Sequence, residues 1–267
     1  MSWLPLFAVS IATLFPGGDA TGYEKVPAPG VRYRMNMATA TSAPWIDSNL
    51  WRYRRKPDGK YLCDVKGKPA AALAMAEGFV TGINLTLDTT PDQKAEYDKM
   101  AAFLKALPGG PRQPWTNFSI SDDGTFEAGE VMNLLSRRNL LYRIVPAAKA
   151  DFKLEKPANP YEYVLNLRDK FGDDKRVFRL FGSELTVAEV AREGRKVRIH
   201  LINYGSRPVD TMRLRVRGNF AEAAAKAYIY GSDDAKLSEW QRDGAFTEFT
   251  LTALPLYGVI DLEDAAR

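Results

Sequence analysis

The period of the apolar residues changes partway along this chain, and that change limits the architectures open to it. Up to about residue 182, apolar runs of strand length alternate with runs spaced for helices; beyond it, short alternating runs follow one another with little helical spacing. Strand and helix in alternation predict a parallel sheet with helices against it, and a succession of strands alone predicts antiparallel sheet. The expected fold class is α/β, an open parallel sheet or a partial β/α barrel with helices, followed by a C-terminal antiparallel β-sandwich. Residues 21–182 form the α/β domain in this reading, and 183–267 the sandwich domain.

The clearest unit of the first part is a strand over Phe118–Ser121, a helix from Phe126 to about Asn139, and a strand over Leu141–Val145. A helix, a strand and a second helix precede it. Pro69–Val80 is alanine-rich with Leu73, Ala76, Glu77 and Val80 at helical spacing, and Ile83–Asp88 then alternates as a strand. Asp92–Leu107 is the next helix, stopped by Pro108-Gly-Gly-Pro111. Val31–Ala38 reads as a strand, Thr39–Lys66 as a largely irregular stretch, and Asn159-Pro-Tyr161 opens another helix. Arg176–Phe181 alternates as a strand of the α/β part. Later strands are expected at 185–192, 196–203, 211–217, 227–230, 246–251 and 258–262.

Trp3–Phe15 is apolar, too short to span a bilayer but long enough for a signal-peptide core, with Gly17-Gly-Asp-Ala20 supplying small residues before a cleavage point. The alternative is a buried strand or helix. On the signal reading, residues 1–20 are a signal peptide and the protein is secreted or periplasmic. The rest of the chain contains no candidate membrane span.

Single copies of two residues exclude much chemistry. With one cysteine, Cys63, there is no intrachain disulfide framework, and with one histidine, His200, there is no multi-histidine zinc site. Val197, Ile199 and Leu201 alternate with polar neighbours, so His200 is expected to point outward from a strand. Neither GxGxxG, GxxxxGK[ST] nor GxSxG occurs. No cofactor and no metal are expected. The formal charge of +4 is spread along the chain, which gives no footprint for nucleic acid.

What remains are acids at strand exits, where open parallel sheets bind their ligands. Asp88 and Asp122 end successive expected strands, and Asp47 lies in the loop that would face them. If those strands are neighbours, the carboxylates converge; two carboxylates flanking a glycosidic bond can act as acid and as base or nucleophile without a histidine. Asp47, Asp88 and Asp122 are therefore the candidate catalytic residues. Trp45, Asn49, Trp51, Arg52 and Asp123 are candidates for binding substrate, the indoles as platforms for sugar rings. The competing reading makes Asp123 a cap for the helix that follows and packs the aromatics against the sheet.

The segments Val197-Arg-Ile-His-Leu-Ile-Asn-Tyr204, Met212-Arg-Leu-Arg-Val-Arg-Gly218, Phe249–Pro255 and Tyr257–Leu262 resemble the small C-terminal β-sandwich found behind many glycoside hydrolase barrels, where a strand ends in Asn-Tyr or Asn-Phe before a polar turn. The first half is similar to the Rossmann-like or barrel-derived domains of such enzymes. No catalytic motif matches, and only about 150 residues precede the sandwich where a full (β/α)8 barrel takes about 250. The resemblance implies a carbohydrate-active protein, either a glycoside hydrolase using paired carboxylates or a non-catalytic glycan-binding or scaffold protein derived from one. The expected partner is a carbohydrate.

Overall fold

The computed structural model describes residues 13–15, 20–36, 41–155 and 158–265. Strands β1 (Thr13–Phe15) and β2 (Glu24–Pro27) are followed by the hairpin β3 (Gly30–Asn36) and β4 (Thr41–Asp47). Then come α1 (Leu50–Arg55), β5 (Lys60–Asp64), α2 (Ala71–Thr81), β6 (Asn84–Asp88), α3 (Lys94–Ala106), β7 (Phe118–Asp122), α4 (Phe126–Arg137), β8 (Tyr142–Ile144), β9 (Phe152–Leu154) and α5 (Pro160–Phe171). The remainder is strand: β10 (Phe178–Phe181), β11 (Thr186–Glu193), β12 (Lys196–Asn203), β13 (Val209–Arg217), β14 (Lys226–Ile229), β15 (Leu237–Asp243), β16 (Phe246–Leu254) and β17 (Tyr257–Glu263). The rest of the apolar N-terminal segment lies outside the described residues.

The α/β half is real, but it is not one sheet. Its strands form two parallel sheets, β1-β6-β5-β2 and β8-β7-β9. The expected adjacency of the strands that end in Asp88 and Asp122 is therefore corrected: β6 and β7 lie in different sheets. The connection between them explains why. After α3 the chain is pinned along β11, where Trp115 N donates to Val190 O at 2.7 Å and Arg192 N to Gln113 O at 2.8 Å. Gly110 in this connection lies over the Arg198 guanidinium, where a Cβ would come within 2.3 Å of Cζ.

The β7-α4-β8 unit is formed as its sequence predicts, with Phe118 to Ile120 in parallel register with Tyr142 to Ile144. Thr125, rather than Asp123, is the N-cap of α4: its Oγ1 accepts from Ala128 N at 3.2 Å. Asp123 supports that cap by accepting from Thr125 N at 2.9 Å. Helix α2 is short and made of small residues because it is enclosed; Ala71 through Gly78 are all buried, and a Cβ on Gly78 would meet Leu85 Cδ2 of β6 at 2.9 Å.

The later strands form two antiparallel sheets, β10-β13-β16-β15 and β11-β12-β17-β14. Phe178, Leu214 and Phe249 from the first share one buried cluster with Val197, Ile199 and Ile260 from the second. Strand β10 pairs with β13, Phe178 opposite Val216, so the architecture changes before Phe178 rather than at residue 182. The other face of the second sheet is also covered: Val187, Ile202, Tyr204, Tyr257 and Val259 belong to the cluster that includes α2 and α3 residues such as Met75 and Leu104.

That second covering corrects the reading of His200. Its neighbours Val197, Ile199 and Leu201 do face the core between the sheets, but the opposite face packs on α2, so His200 is buried with its Nδ1 2.7 Å from Tyr257 Oη and its ring edge-on to Phe79. Alternation identified two faces; it carried no information on what covers the second.

Candidate functional site

The chain leaving β4 enters α1 through Ser48-Asn49, and this turn is tied down from below. Asn49 N donates to Glu77 Oε1 at 3.0 Å, Ser48 Oγ to the same oxygen at 2.8 Å, and Tyr204 Oη to it at 2.6 Å. Asn49 Nδ2 reaches Pro27 O at 2.9 Å, and Arg52 Nη1 donates to Asn49 Oδ1 at 3.0 Å. Glu77 is fully buried, and burial pushes its carboxyl up to about 7 against the opposing hydrogen bonds. The result is a fixed orientation for α1.

Helix α1 directs Arg54 and Arg55 to the carboxyl ends of β7, β8 and β9. Arg55 Nε donates to Asp122 Oδ2 at 2.6 Å and its Nη2 to Oδ1 at 2.8 Å, a bidentate pair at the exit of β7. The same Nη2 reaches Thr125 O at 2.9 Å, and Gly124 N donates to Asp122 Oδ1 at 3.0 Å, so one arginine and one carboxylate clamp the turn that starts α4. Arg54 is paired with Glu189 of β11, donates to Ser136 Oγ at 3.1 Å and lies 4.6 Å over the Tyr142 ring.

Over these exits lies a cleft of about 580 Å³. Its polar wall carries Arg54, Arg55, Asp122, Asp123 and Glu155; Ile144, Val145, Pro146 and Leu154 supply its apolar surface. Three parallel strands end there together, the position at which open α/β sheets take ligands, and the volume falls within the range of small-molecule sites. The arrangement is suited to a polyhydroxylated ligand: carboxylate oxygens accept from hydroxyls, guanidinium edges donate to them, and the apolar floor takes C–H faces.

Of the residues singled out from the sequence, Asp122 and Asp123 line this cleft. Asp47 ends β4 opposite Gly30 and is paired with Arg32 across the hairpin. Asp88 ends β6 beside Asp64 of β5 and is paired with Lys66 Nζ at 2.7 Å. Asn49 and Arg52 belong to the Glu77 network. Trp45 packs on the α4 cluster with Arg137 4.2 Å from its ring centroid. Trp51 packs against Gly129, where a Cβ would come within 2.6 Å of Cζ3, and Arg52 and Arg55 lie 4.3 and 5.0 Å from its ring. The stretch read as irregular therefore holds two strands and a helix, β4, α1 and β5, and Trp45 and Trp51 brace α4.

Sequence reasoning read Arg54 and Arg55 as loop residues, and missed Glu155 in the cleft and Glu77 and Tyr204 at the start of α1. The signal for Glu77 was present: one acid within the enclosed run Ala71–Gly78 needs buried partners. Among the described residues no group of three or more His, Cys, Asp or Glu is placed to hold a metal ion, and no helix is long and apolar enough to cross a membrane.

No protein-family model matches the sequence, and no curated protein matches it in sequence. Similarity is found among solved structures. The fold is similar to the α-L-fucosidase isoenzyme 2 from Paenibacillus thiaminolyticus, with a TM-score of 0.57 at 7% identity over 81% of this chain and 63% of that one. The catalytic module of a family 98 glycoside hydrolase from Streptococcus pneumoniae TIGR4 aligns over 79% of this chain and 64% of its own, with a TM-score of 0.34 and 8% identity. The chain thus spans less than two thirds of the length of these structures. The fucosidase likeness is one of fold alone.

Proposed function

We propose that the protein is a secreted, carbohydrate-active protein that takes its saccharide in the cleft over the exits of β7, β8 and β9, and that it binds rather than cleaves it. In this reading the parallel sheets are a partial β/α barrel and the two antiparallel sheets the C-terminal β-sandwich of a glycoside hydrolase-derived protein. The observation that carries it is the state of Asp122: both oxygens are held by Arg55, and Oδ1 accepts from Gly124 as well. Paired-carboxylate hydrolysis needs two carboxyls free to face the glycosidic bond. Asp47 and Asp88, each paired with a cation elsewhere, supply no second group here. A hydrolytic reading rests instead on Asp123 and Glu155, which line the same cleft as Asp122.

A glycan array probed with the native chain and with Val145→Arg, which puts a long cation on the cleft floor, tests the proposal. Binding to neutral glycans that Val145→Arg abolishes is the expected result. Binding unaffected by that substitution, or none to any neutral glycan, overturns it. Release of reducing ends from a bound glycan, lost in Glu155→Gln, would replace binding by hydrolysis.

A further inference from the structure

A second recess lies away from the strand exits, between the end of α4, helix α5 and strand β10. It has a volume of about 390 Å³ and is lined by five arginines, Arg137, Arg138, Arg168, Arg176 and Arg179. Glu184 lies on its edge, Asp173 pairs with its arginines, and Asp169 also acts on Arg168. Asp173 serves three of the arginines at once: Arg168 Nη2 at 2.8 Å, Arg176 Nη1 at 3.2 Å and Arg179 Nη2 at 3.3 Å. Among the described residues Arg138 has no carboxylate partner; its guanidinium lies 5.2 Å over the Tyr161 ring.

Arg176 is the built part of this site. Its side chain is 7% exposed, Nη2 caps the end of α4 by donating to Arg138 O at 2.7 Å and Asn139 O at 2.8 Å, and Nε is buried with no hydrogen-bond partner. A buried donor without an acceptor is costly in a folded protein. Burial is the main cause that lowers the Arg176 pKa; Asp173 raises it, and Arg179 and Arg168 lower it by less. Two large rings also open onto the recess, Tyr161 at 52% and Phe181 at 40% exposure, each with an arginine beside it, Arg179 lying 4.7 Å over Phe181.

A guanidinium adjoining an exposed ring matches a ligand that carries an oxyanion on a ring with an apolar face: the oxyanion takes the fork of donors and the C–H face stacks. We propose that this recess is a second ligand site, for an anionic saccharide bearing a carboxylate or a sulfate. The saccharide class rests on the carbohydrate reading given above; the oxyanion requirement rests on the arginines alone.

Calorimetric titration with trigalacturonate and, separately, with a sulfated disaccharide tests it and distinguishes the two anions, using the full chain, Arg138→Gln and the double variant Arg138→Gln/Arg179→Gln, with folding checked by thermal melts. Neither substitution removes the Arg176 cap. At least one anionic saccharide is expected to bind, more weakly as salt is raised, with affinity lowered about tenfold or more in the double variant. Equal affinity in the native and double-variant chains, no binding of either probe at low salt, or tighter binding of a mononucleotide than of either sugar would overturn it. The two proposals fail separately: anionic binding lost in the arginine variants without any neutral-glycan binding removes the cleft reading alone, and neutral binding abolished by Val145→Arg without anionic binding removes this one alone.

Discussion

Tyr204, the residue immediately after β12, donates its hydroxyl to Glu77 Oε1 of α2 at 2.6 Å. This hydrogen bond ties the antiparallel part to the parallel part, and Ser48 Oγ and Asn49 N converge on the same oxygen. The Asn203-Tyr204 pair that carries the family resemblance acquires a physical role. Asn203 Nδ2 holds its turn by donating to Arg207 O at 2.8 Å and Pro255 O at 3.0 Å, and Tyr204 anchors that turn to α2 and to the entry of α1. Removing the Tyr204 hydroxyl in Tyr204→Phe should cost about 1 to 3 kcal/mol, the range for stripping a donor from a buried polar group. A urea midpoint unchanged from that of the native chain would contradict the role.

Glu77 should also impose a pH dependence. Its pKa rises from an ordinary 4.5 to about 7 on folding, so between these values the native state holds a proton the unfolded state has released. Its contribution is fully present below pH 4.5 and is lost as pH rises through 7, on the order of 3 kcal/mol at about 1.4 kcal/mol per pH unit. His200 acts in the opposite sense. Burial, with Arg198 adding to it, pushes its pKa from 6.5 down to about 3, so its contribution is present above 6.5 and is lost as pH falls toward 3. Between pH 4.5 and 6.5 the two slopes oppose each other. Glu77→Gln should expose the loss on acidification, and His200→Gln the loss on going to neutral pH. Denaturant midpoints across that window with the same slope in both variants would contradict the assignment.

How much of this was legible depended on what fixes each element. The β7-α4-β8 unit is specified locally, by a turn at Asp122-Asp-Gly-Thr125 and an apolar stripe on α4, and it formed where expected. The short helix α1 has too few residues to display a period, so Leu50–Arg55 read as loop although Leu50 and Tyr53 are wholly buried. Edge strand β15 escaped notice because its residues are mostly exposed and it has little apolar alternation to read. The meeting of Asp88 with Asp122 was lost at a different level: both end strands, but β6 and β7 lie in different sheets, and no local pattern encodes which strands adjoin. Asp122 and Asp123 reach the cleft, and the arginines that meet them come from a helix that was not foreseen.

Gly129 offers a test of how α1 is seated. In a helix interior Gly→Ala ordinarily stabilises by about 1 kcal/mol, but here the added methyl would stand 2.6 Å from Trp51 Cζ3. Overpacking of that kind costs roughly 1 to 3 kcal/mol. Gly129→Ala should therefore destabilise the native chain and become neutral or stabilising in a Trp51→Leu background. A double-mutant cycle with a coupling below about 0.5 kcal/mol would show that the indole moves aside freely.

Arg55 and Asp122 decide whether the cleft keeps its shape. Asp122 is the more enclosed partner, its side chain 8% exposed against 24% for Arg55. Arg55→Gln leaves that carboxylate with the Gly124 amide as its remaining hydrogen-bond donor, at a cost of about 1.5 to 3 kcal/mol for a charged hydrogen bond lost. Asp122→Asn in the same chain removes the stranded charge, so Arg55→Gln/Asp122→Asn should be more stable than Arg55→Gln alone. The proposed binding function adds a second expectation. If the pair shapes the turn that ends in Thr125, the double variant should lose affinity for neutral glycan even where its denaturation midpoint recovers. Affinity that tracks stability through all three variants would mean the pair only holds the fold, and the ligand is recognised by the other walls of the cleft.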